Sequence, residues 1–436
     1  MAVVDSGTGA GVDSMEFTVP DEPLPPEYNR LVGTKTGLVS NLAHSSLDRS
    51  GPRARVGSVD HADLGWLGAG HTADIEAGGK GLDARATLTG TLGEFAERYC
   101  LHWPREEALT EGSHDEMADR GEVPDFEYLT AYGQDDLGPD DPEWLAPLSR
   151  ETTLPWVAGT NLLTGEESYV PAELVWNRAG KLTEYPRAVV GTSNGAAAGP
   201  TLESALLSGL YEVVERDAFV TTWCEQTPPP RVDPDAVPEL ADRRDRLLPG
   251  DHRSLSVFEY DGTVDVPTYG AAIVDDRERF PKFAIGGSAD FNPIAAATDA
   301  MVEAAQAFPY LEHVRAEYDL DAIDPTSIWN FTENTLLYAR PENFDRVSFF
   351  VAGEETTLPE AQRVEDELAT CLDRLDAAGC TPVAVEVTTP DVREVGIRAV
   401  RVVVPELVPF PPSSLPPTEH PQLADVDVPE MPHPYP

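Results

Sequence analysis

The chain has 436 residues, 41% of them apolar, enough for one large domain or two or three smaller ones with a full core. It carries 77 acidic against 31 basic side chains, a formal charge of −46, which argues against nonspecific binding to nucleic acid or to an anionic membrane. Lysine occurs only at positions 35, 80, 181 and 282 and the acids are spread along the whole chain, so the surface reads as a halophile's: self-repelling in dilute salt and screened in concentrated salt, where the Debye length is about 3 Å at 1 M.

Residues 1–28 are rich in Gly, Asp, Glu and Pro and are expected to be loosely ordered; the main domain is expected over 29–410 and a Pro-rich tail over 411–436. The N-terminus has no basic stretch followed by an apolar run, and no segment reaches the length of a membrane span, so a soluble cytoplasmic protein is expected. Thr34-Lys35-Thr36-Gly37 reads as a turn feeding a strand at Leu38-Val39-Ser40.

Gly79-Lys80-Gly81 opens the first strong pattern. Asp83 is a helix N-cap, Leu88, Leu92, Phe95 and Tyr99 recur at helical spacing, and the run contains Glu94-x-x-Glu97-Arg98. An acidic segment over 104–145 follows and is expected to be peripheral. Strand-like patches come at Tyr169–Trp176, Val189-Val190 and Val257–Val274, with no regular βαβ alternation, so helices and mixed sheets are expected.

The first pattern has an echo. Gly199-Pro200-Thr201, with Thr201 as the helix N-cap, leads through Leu206, Leu210, Val213 and Val214 to Glu212-x-x-Glu215-Arg216, and in both copies a Gly precedes the first Glu by thirteen positions. This helix is expected to end near Trp223, where Pro228-Pro229-Pro230 forbids continuation. A third helix, Asp299–Gln306, places Glu303 and Gln306 on one face. A helix over Pro359–Ala377 and strands over Thr381–Val387 and Ile397–Val404 complete the pattern. Cys100, Cys224, Cys371 and Cys380 show no Cys-x-x-Cys spacing, which argues against a zinc ribbon or redox dithiol and predicts buried free thiols.

Residues three apart on a helix lie side by side, so Glu94/Glu97 and Glu212/Glu215 are adjacent carboxylate pairs. In so acidic a chain one such pair reads as a solvated face. Two copies sharing the upstream Gly, the apolar neighbours and the following Arg point instead to a metal and nucleotide site. If the helices face each other, four carboxylates converge and need a cation; oxygen ligands of this kind suit Mg²⁺, which bridges carboxylates to phosphates. Eleven prolines fall from Pro405 onward, and the chain ends Pro432-His433-Pro434-Tyr435-Pro436, a polyproline-like terminus expected to dock.

Gly79-Lys80-Gly81, the two Glu-x-x-Glu-Arg helices, Ser193-Asn194-Gly195, Glu303-x-x-Gln306 and Val403-Val404-Pro405, in this order and spacing, resemble the YcaO family over roughly residues 30–436. The resemblance implies an α+β fold with ATP and Mg²⁺ between helices, and ATP-dependent activation of a peptide backbone amide. It implies that Glu94, Glu97, Glu212 and Glu215 hold Mg²⁺ and that Lys80, Arg85, Arg216, Glu303 and Gln306 contact the nucleotide. The Pro432, Pro434 and Pro436 ending is typical of azoline-forming cyclodehydratases; if the tail docks inward, the Pro436 carboxylate is expected, on our own hypothesis, to act as a proton acceptor. The implied partners are a peptide substrate and a separate leader-peptide-binding protein, no leader-binding domain being evident ahead of the catalytic region; a homodimer is compatible. Gly90, Ala197, Pro200, Ser204 and Asp299 depart from the family pattern at nucleotide contacts. A thioamide or amidine synthetase and a non-catalytic scaffold subunit therefore stay open as alternatives.

Overall fold

The computed structural model describes residues 24–45, 51–64, 75, 77–132, 145–250, 252–326, 328, 330–361, 363–411 and 415–435. Helix α1 (Pro26–Asn29) leads to β1 (Val39–His44), β2 (Arg55–His61) and β3 (Lys80–Gly81), an antiparallel sheet in the order β1-β2-β3. Next come α2 (Ala84–Leu101), β4 (Leu109–Gly112), α3 (His114–Ala118), α4 (Phe126–Leu129), β5 (Leu154–Asn161), β6 (Glu167–Pro171), β7 (Ala196–Gly199) and α5 (Leu202–Glu225). They are followed by β8 (Arg231–Val232), α6 (Pro238–Leu247), β9 (Arg253–Glu259), β10 (Thr268–Asp275), β11 (Phe283–Ala289) and α7 (Pro293–Val314). The last elements are α8 (Phe331–Ala339), β12 (Glu355–Thr356), α9 (Glu367–Ala377), β13 (Val383–Glu386), α10 (Pro390–Val395) and β14 (Arg398–Val403).

Two larger sheets accompany the first. One runs β11-β10-β9-β8-β12; the other runs β4-β5-β13-β14-β7, with β6 on β5. Among these named strands only β12 and β8 pair in parallel, so the fold is α+β. No helix among the described residues is long and apolar enough to cross a membrane.

The three long helices lie between the sheets, and the sequence explains how each is held. Along β10 every residue is buried, because its two faces serve two cores. Tyr269, Ala271 and Ile273 pack with the alanines of α7, whereas Ala272 and Val274 pack with Phe219 and Trp223 of α5, the period-2 alternation of a strand. On β14, Ala399 and Val403 join the core of α2, while Val400 and Val402 join that of α5. Helix α7 comes close to β11 because its contact face is alanine and because position 286 is Gly: a Cβ there would lie 2.6 Å from the Ala304 amide and the Glu303 Cβ. Glu303 is thereby pinned against the sheet.

Three sequence expectations change. The acidic segment over 104–145 is not wholly peripheral, since β4 pairs with β5 in the larger sheet and Ser113, His114 and Met117 are buried beside it. Val189-Val190 forms no strand; both side chains fill loop-side cores with Met117, Trp156 and Leu145. The patch from Tyr169 ends as a strand at Pro171, whose successors turn into a short 3₁₀ segment. The four cysteines are free and buried. The C-terminal segment is packed into the body: Leu415, Leu423 and Tyr435 belong to buried clusters.

Candidate active site

The two sequence repeats are also repeats of local structure. Each begins as a strand ending in Gly, β3 at Gly81 and β7 at Gly199, and a Cβ at either glycine would press on the helix it feeds: at Gly81 it would lie 2.7 Å from Thr87 Oγ1, at Gly199 2.5 Å from Ser204 Oγ. Two residues on, a side chain caps the helix. Asp83 accepts from the Ala86 amide at 2.8 Å and Thr201 from the Ser204 amide at 3.1 Å, satisfying amides that the first turn leaves open. Ser204 reciprocates to the Thr201 amide in a capping box, so that departure from the family pattern does a structural job.

Glu94 and Glu97 on α2, Glu212 on α5 and the backbone of β7 line a cavity of about 380 Å³, together with Tyr28, Gly90 and Ser208. Close enough to act on Glu94, Lys80 Nζ lies 3.0 Å from Glu303 Oε2, and the Gly287 amide donates to the same oxygen at 3.1 Å. Arg216 pairs with Glu215 at 2.9 Å, and Arg98 with Glu94 at 2.7 Å. The Gly78 amide donates to Glu94 at 3.2 Å, and Gln306 Nε2 comes to 3.5 Å from the Gly79 carbonyl. Arg85 stands apart: it is exposed on the first turn of α2, about 13 Å along the axis from Glu94 and half a turn round.

The carboxylates ring a space instead of closing on a point. Among the described residues no three Asp, Glu, His or Cys side chains form a ready-made metal cage. Burial and then Glu212 and Glu94 push the Glu97 carboxyl well above its ordinary value, and burial raises Glu212 and Glu215 despite Arg216. Burial would also raise Glu303, but Lys80 and Arg216 outweigh it and leave that carboxyl lowered. At Lys80, burial works against the charge, yet Glu303, Glu215 and Asp299 hold the ammonium above its ordinary range. Five carboxylates thus face Lys80, Arg98, Arg216 and Arg401, and the group furthest from ionising comfortably is the Glu97/Glu212 side, which opens on the cavity. Half-buried oxygen ligands short of positive charge fit a hydrated Mg²⁺ carrying phosphates.

The tail completes this end of the site. Tyr435 is fully buried and its hydroxyl donates to Glu215 Oε1 at 3.2 Å. The Arg216 guanidinium lies over both the Tyr435 ring, at 4.5 Å, and the Phe410 ring, at 5.0 Å. Gly287 makes the room, since a Cβ there would meet the Tyr435 hydroxyl. Tyr338 donates to the Pro432 carbonyl at 2.5 Å, and His433 Nε2 donates to the Pro411 carbonyl at 3.1 Å while Nδ1 accepts from the Tyr435 amide. Burial first, with Arg216 adding to it, pushes the His433 imidazole down to about 3. Pro432 and Pro434 are buried in this docked segment; Pro436 lies outside the described residues.

Sequence reasoning missed two groups here. Arg401 sits on β14, 5% exposed, and Tyr260 brings a buried hydroxyl into the field of Glu215, Arg216 and Glu303. The signal for Arg401 was an arginine inside the apolar run Ala399–Val404, on the same strand face as Ala399 and Val403. Burial lowers its guanidinium to about 10, against the pull of Glu212 and Glu97.

The family model for YcaO cyclodehydratase, ATP- and Mg²⁺-binding, matches residues 78–408. Among solved structures the chain is similar to a heterocyclase in complex with substrate and cofactor, with a TM-score of 0.69 and 22% identity over 94% of this chain and 57% of that one. It is also similar to YcaO from Methanopyrus kandleri bound with AMPPCP and Mg²⁺, with a TM-score of 0.59 and 20% identity over 90% of this chain and 91% of that one. A third likeness is to the E. coli microcin synthetase McbBCD complex, at 0.60 and 14% over 86% and 90%. An uncharacterized protein in the tfuA 3' region of Rhizobium leguminosarum is 30% identical over 254 residues, 54% of this chain and 55% of its own length. An uncharacterized protein of Methanothermobacter thermautotrophicus is 29% identical over 305 residues, 66% of this chain and 74% of its own length. The chain therefore spans little more than half of the Rhizobium relative and of the heterocyclase chain.

Proposed function

Because the chain belongs to the YcaO family, whose model covers residues 78–408, we propose that it is an ATP-dependent cyclodehydratase that turns Cys, Ser or Thr of a peptide into an azoline. Its cofactors are ATP and Mg²⁺, as the family description states. When bound, they supply a phosphoryl group that makes the amide oxygen a leaving group, chemistry that depends on alignment and charge neutralisation. Glu94, Glu97, Glu212 and Glu215 are the proposed metal ligands. Lys80 and Arg216 offset phosphate charge, and Glu303, fixed by the Gly287 amide, keeps Lys80 aimed inward. Gln306 braces the loop before Lys80. Arg85, exposed and on another face of α2, is proposed only for an outer phosphate or substrate contact.

The observation that carries this reading is the docked tail. A Pro-rich terminus whose Tyr435 hydroxyl reaches a carboxylate of the candidate metal set favours the azoline-forming type over a thioamide or amidine synthetase, for which the tail would have no role. We also propose a peptide substrate presented by a separate leader-binding protein; the resemblance to a multiprotein synthetase complex supports this.

The test is ATP hydrolysis with Mg²⁺ in concentrated potassium chloride, the condition the acidic surface calls for, comparing the wild type with Glu94→Gln and Glu212→Gln, each shown to be folded. Turnover lost in both variants is the expected result. A wild type that neither turns over nor binds Mg-ATP would leave the scaffold reading in its place. Product mass then decides the chemistry: one water lost per ring for an azoline, oxygen replaced by sulfur for a thioamide.

A further inference from the structure

The loop Ser193-Asn194-Gly195 and strand β14 meet next to α5, where Glu212 and Glu97 act on Arg401. Gly195, at φ +82°, sits where a Cβ would strike Val213 and the Val402 carbonyl. Its carbonyl accepts from the Val402 amide at 2.7 Å. The loop is thereby locked to both α5 and β14. Two polar side chains are left over at this junction. Arg401 Nε and Nη1 are buried donors with no hydrogen-bond partner, and Asn194 Oδ1 is a buried acceptor with none. Leaving such groups unsatisfied is destabilising, because each has given up its bonds to water, and orphans of this kind call for an explanation.

Both residues line a second cavity of about 90 Å³, bordered by Tyr132, Val190, Thr192 and Val404. Its walls are otherwise mainly apolar, and Val213 of α5, the residue after Glu212, is among them. A donor fork and a single acceptor on one small apolar-walled space match a secondary amide, which brings one C=O and one N–H. They do not match a phosphate, which would leave the Asn194 acceptor facing an anion.

We propose that Arg401 and Asn194 form a peptide-amide subsite, with Arg401 donating to the substrate carbonyl oxygen and Asn194 Oδ1 accepting from the substrate N–H. The subsite rests on the reading of the substrate as a peptide, and it adds a place for one peptide unit in a cavity that shares no lining residue with the nucleotide cavity. Arg401 does two jobs there: its charge opposes Glu97 and Glu212, and its unused N–H groups orient the amide.

The probe is N-acetylglycine N-methylamide, followed by saturation-transfer NMR on the full chain in concentrated potassium chloride. Transfer to the probe is expected in the wild type. It should fall several-fold in Asn194→Ala, which changes no charge, and in Arg401→Lys, which keeps the charge and loses the fork. Val190→Phe, which fills the space and touches neither polar group, should abolish it; each variant is checked for folding by circular dichroism. No transfer in the wild type, or transfer that survives all three substitutions, overturns the subsite. Mg-ATP binding is measured on the same samples and is expected to persist in Asn194→Ala, so a failure of the amide subsite is read separately from a failure of the ATP-dependent reading.

Discussion

Helices α2 and α5 carry the same Glu-x-x-Glu-Arg pattern behind the same strand, glycine and cap, yet their arginines end in different places. Arg98 folds back on Glu94 of its own helix, with its side chain 38% exposed. Arg216 pairs with Glu215 at 15% exposure and lies over the rings of Phe410 and Tyr435. The difference lies outside both helices: the C-terminal segment covers Glu215 and Arg216 of the α5 copy, while Glu212 and both acids of the α2 copy face the cavity. A motif repeated in sequence therefore gives one open half, with room for a ligand, and one closed half that fixes charge.

The arginines offer the sharpest way to break that comparison. Removing one partner of a buried pair costs about 3–5 kcal/mol, whereas a partly exposed helix pair is worth under about 1 kcal/mol. Arg216→Ala should thus lower unfolding stability in urea by about 3 kcal/mol and Arg98→Ala by less than about 1 kcal/mol. Equal losses would mean that the tail does not make the two copies different.

Acid should open the closed half first. His433 is held neutral with its value pushed down to about 3, below the unfolded value of about 6.5. The unfolded chain therefore takes up the proton first, so this contribution is complete above about pH 6.5 and declines as pH falls below it, by roughly 1 kcal/mol at pH 5.5. Urea titrations at pH 7.5 and 5.5 should show that loss in the wild type and a shallower one in His433→Asn.

Tyr435→Phe sharpens the comparison at one atom. It removes the hydrogen bond to Glu215 while keeping the ring over Arg216, so stability should fall by only about 1 kcal/mol. ATP turnover should drop more than Mg-ATP affinity; equal effects would make Tyr435 mere packing.

The smallest effect concerns the position four residues before the first Glu of each copy, Gly90 in α2 and Ser208 in α5, both lining the cavity. A Cβ at Gly90 would meet nothing within 4 Å, so Gly90→Ser should stabilise α2 by a few tenths of a kcal/mol through helix propensity. It should also tighten Mg-ATP binding, measured by calorimetry, and Ser208→Gly should do the reverse.

Much of this was legible in the chain. The Gly-to-Glu spacing, the caps at Asp83 and Thr201, the breaker after α5 and the pairing of Glu303 with Gln306 on one helix face are local matters, set by hydrogen bonds and side-chain spacing within a few turns. The docking of the tail followed from a sequence too regular for a solvated end. Val189-Val190 misled because β-branched residues serve a loop-side core as well as a strand. The buried part of 104–145 misled because charge hides a four-residue edge strand whose partner lies some forty-five residues on.

What the sequence determined by itself is the pair of capped helices and the acids they present, because both depend on contacts only a few residues apart. Tertiary structure alone decided which acids face a cavity and which face the tail, that Arg401 comes within the field of Glu212 and Glu97, and that Gly286 and Gly287 admit Glu303 and Tyr435. Those outcomes join residues far apart in the chain, where close packing and the cost of unpaired buried charge select the partners.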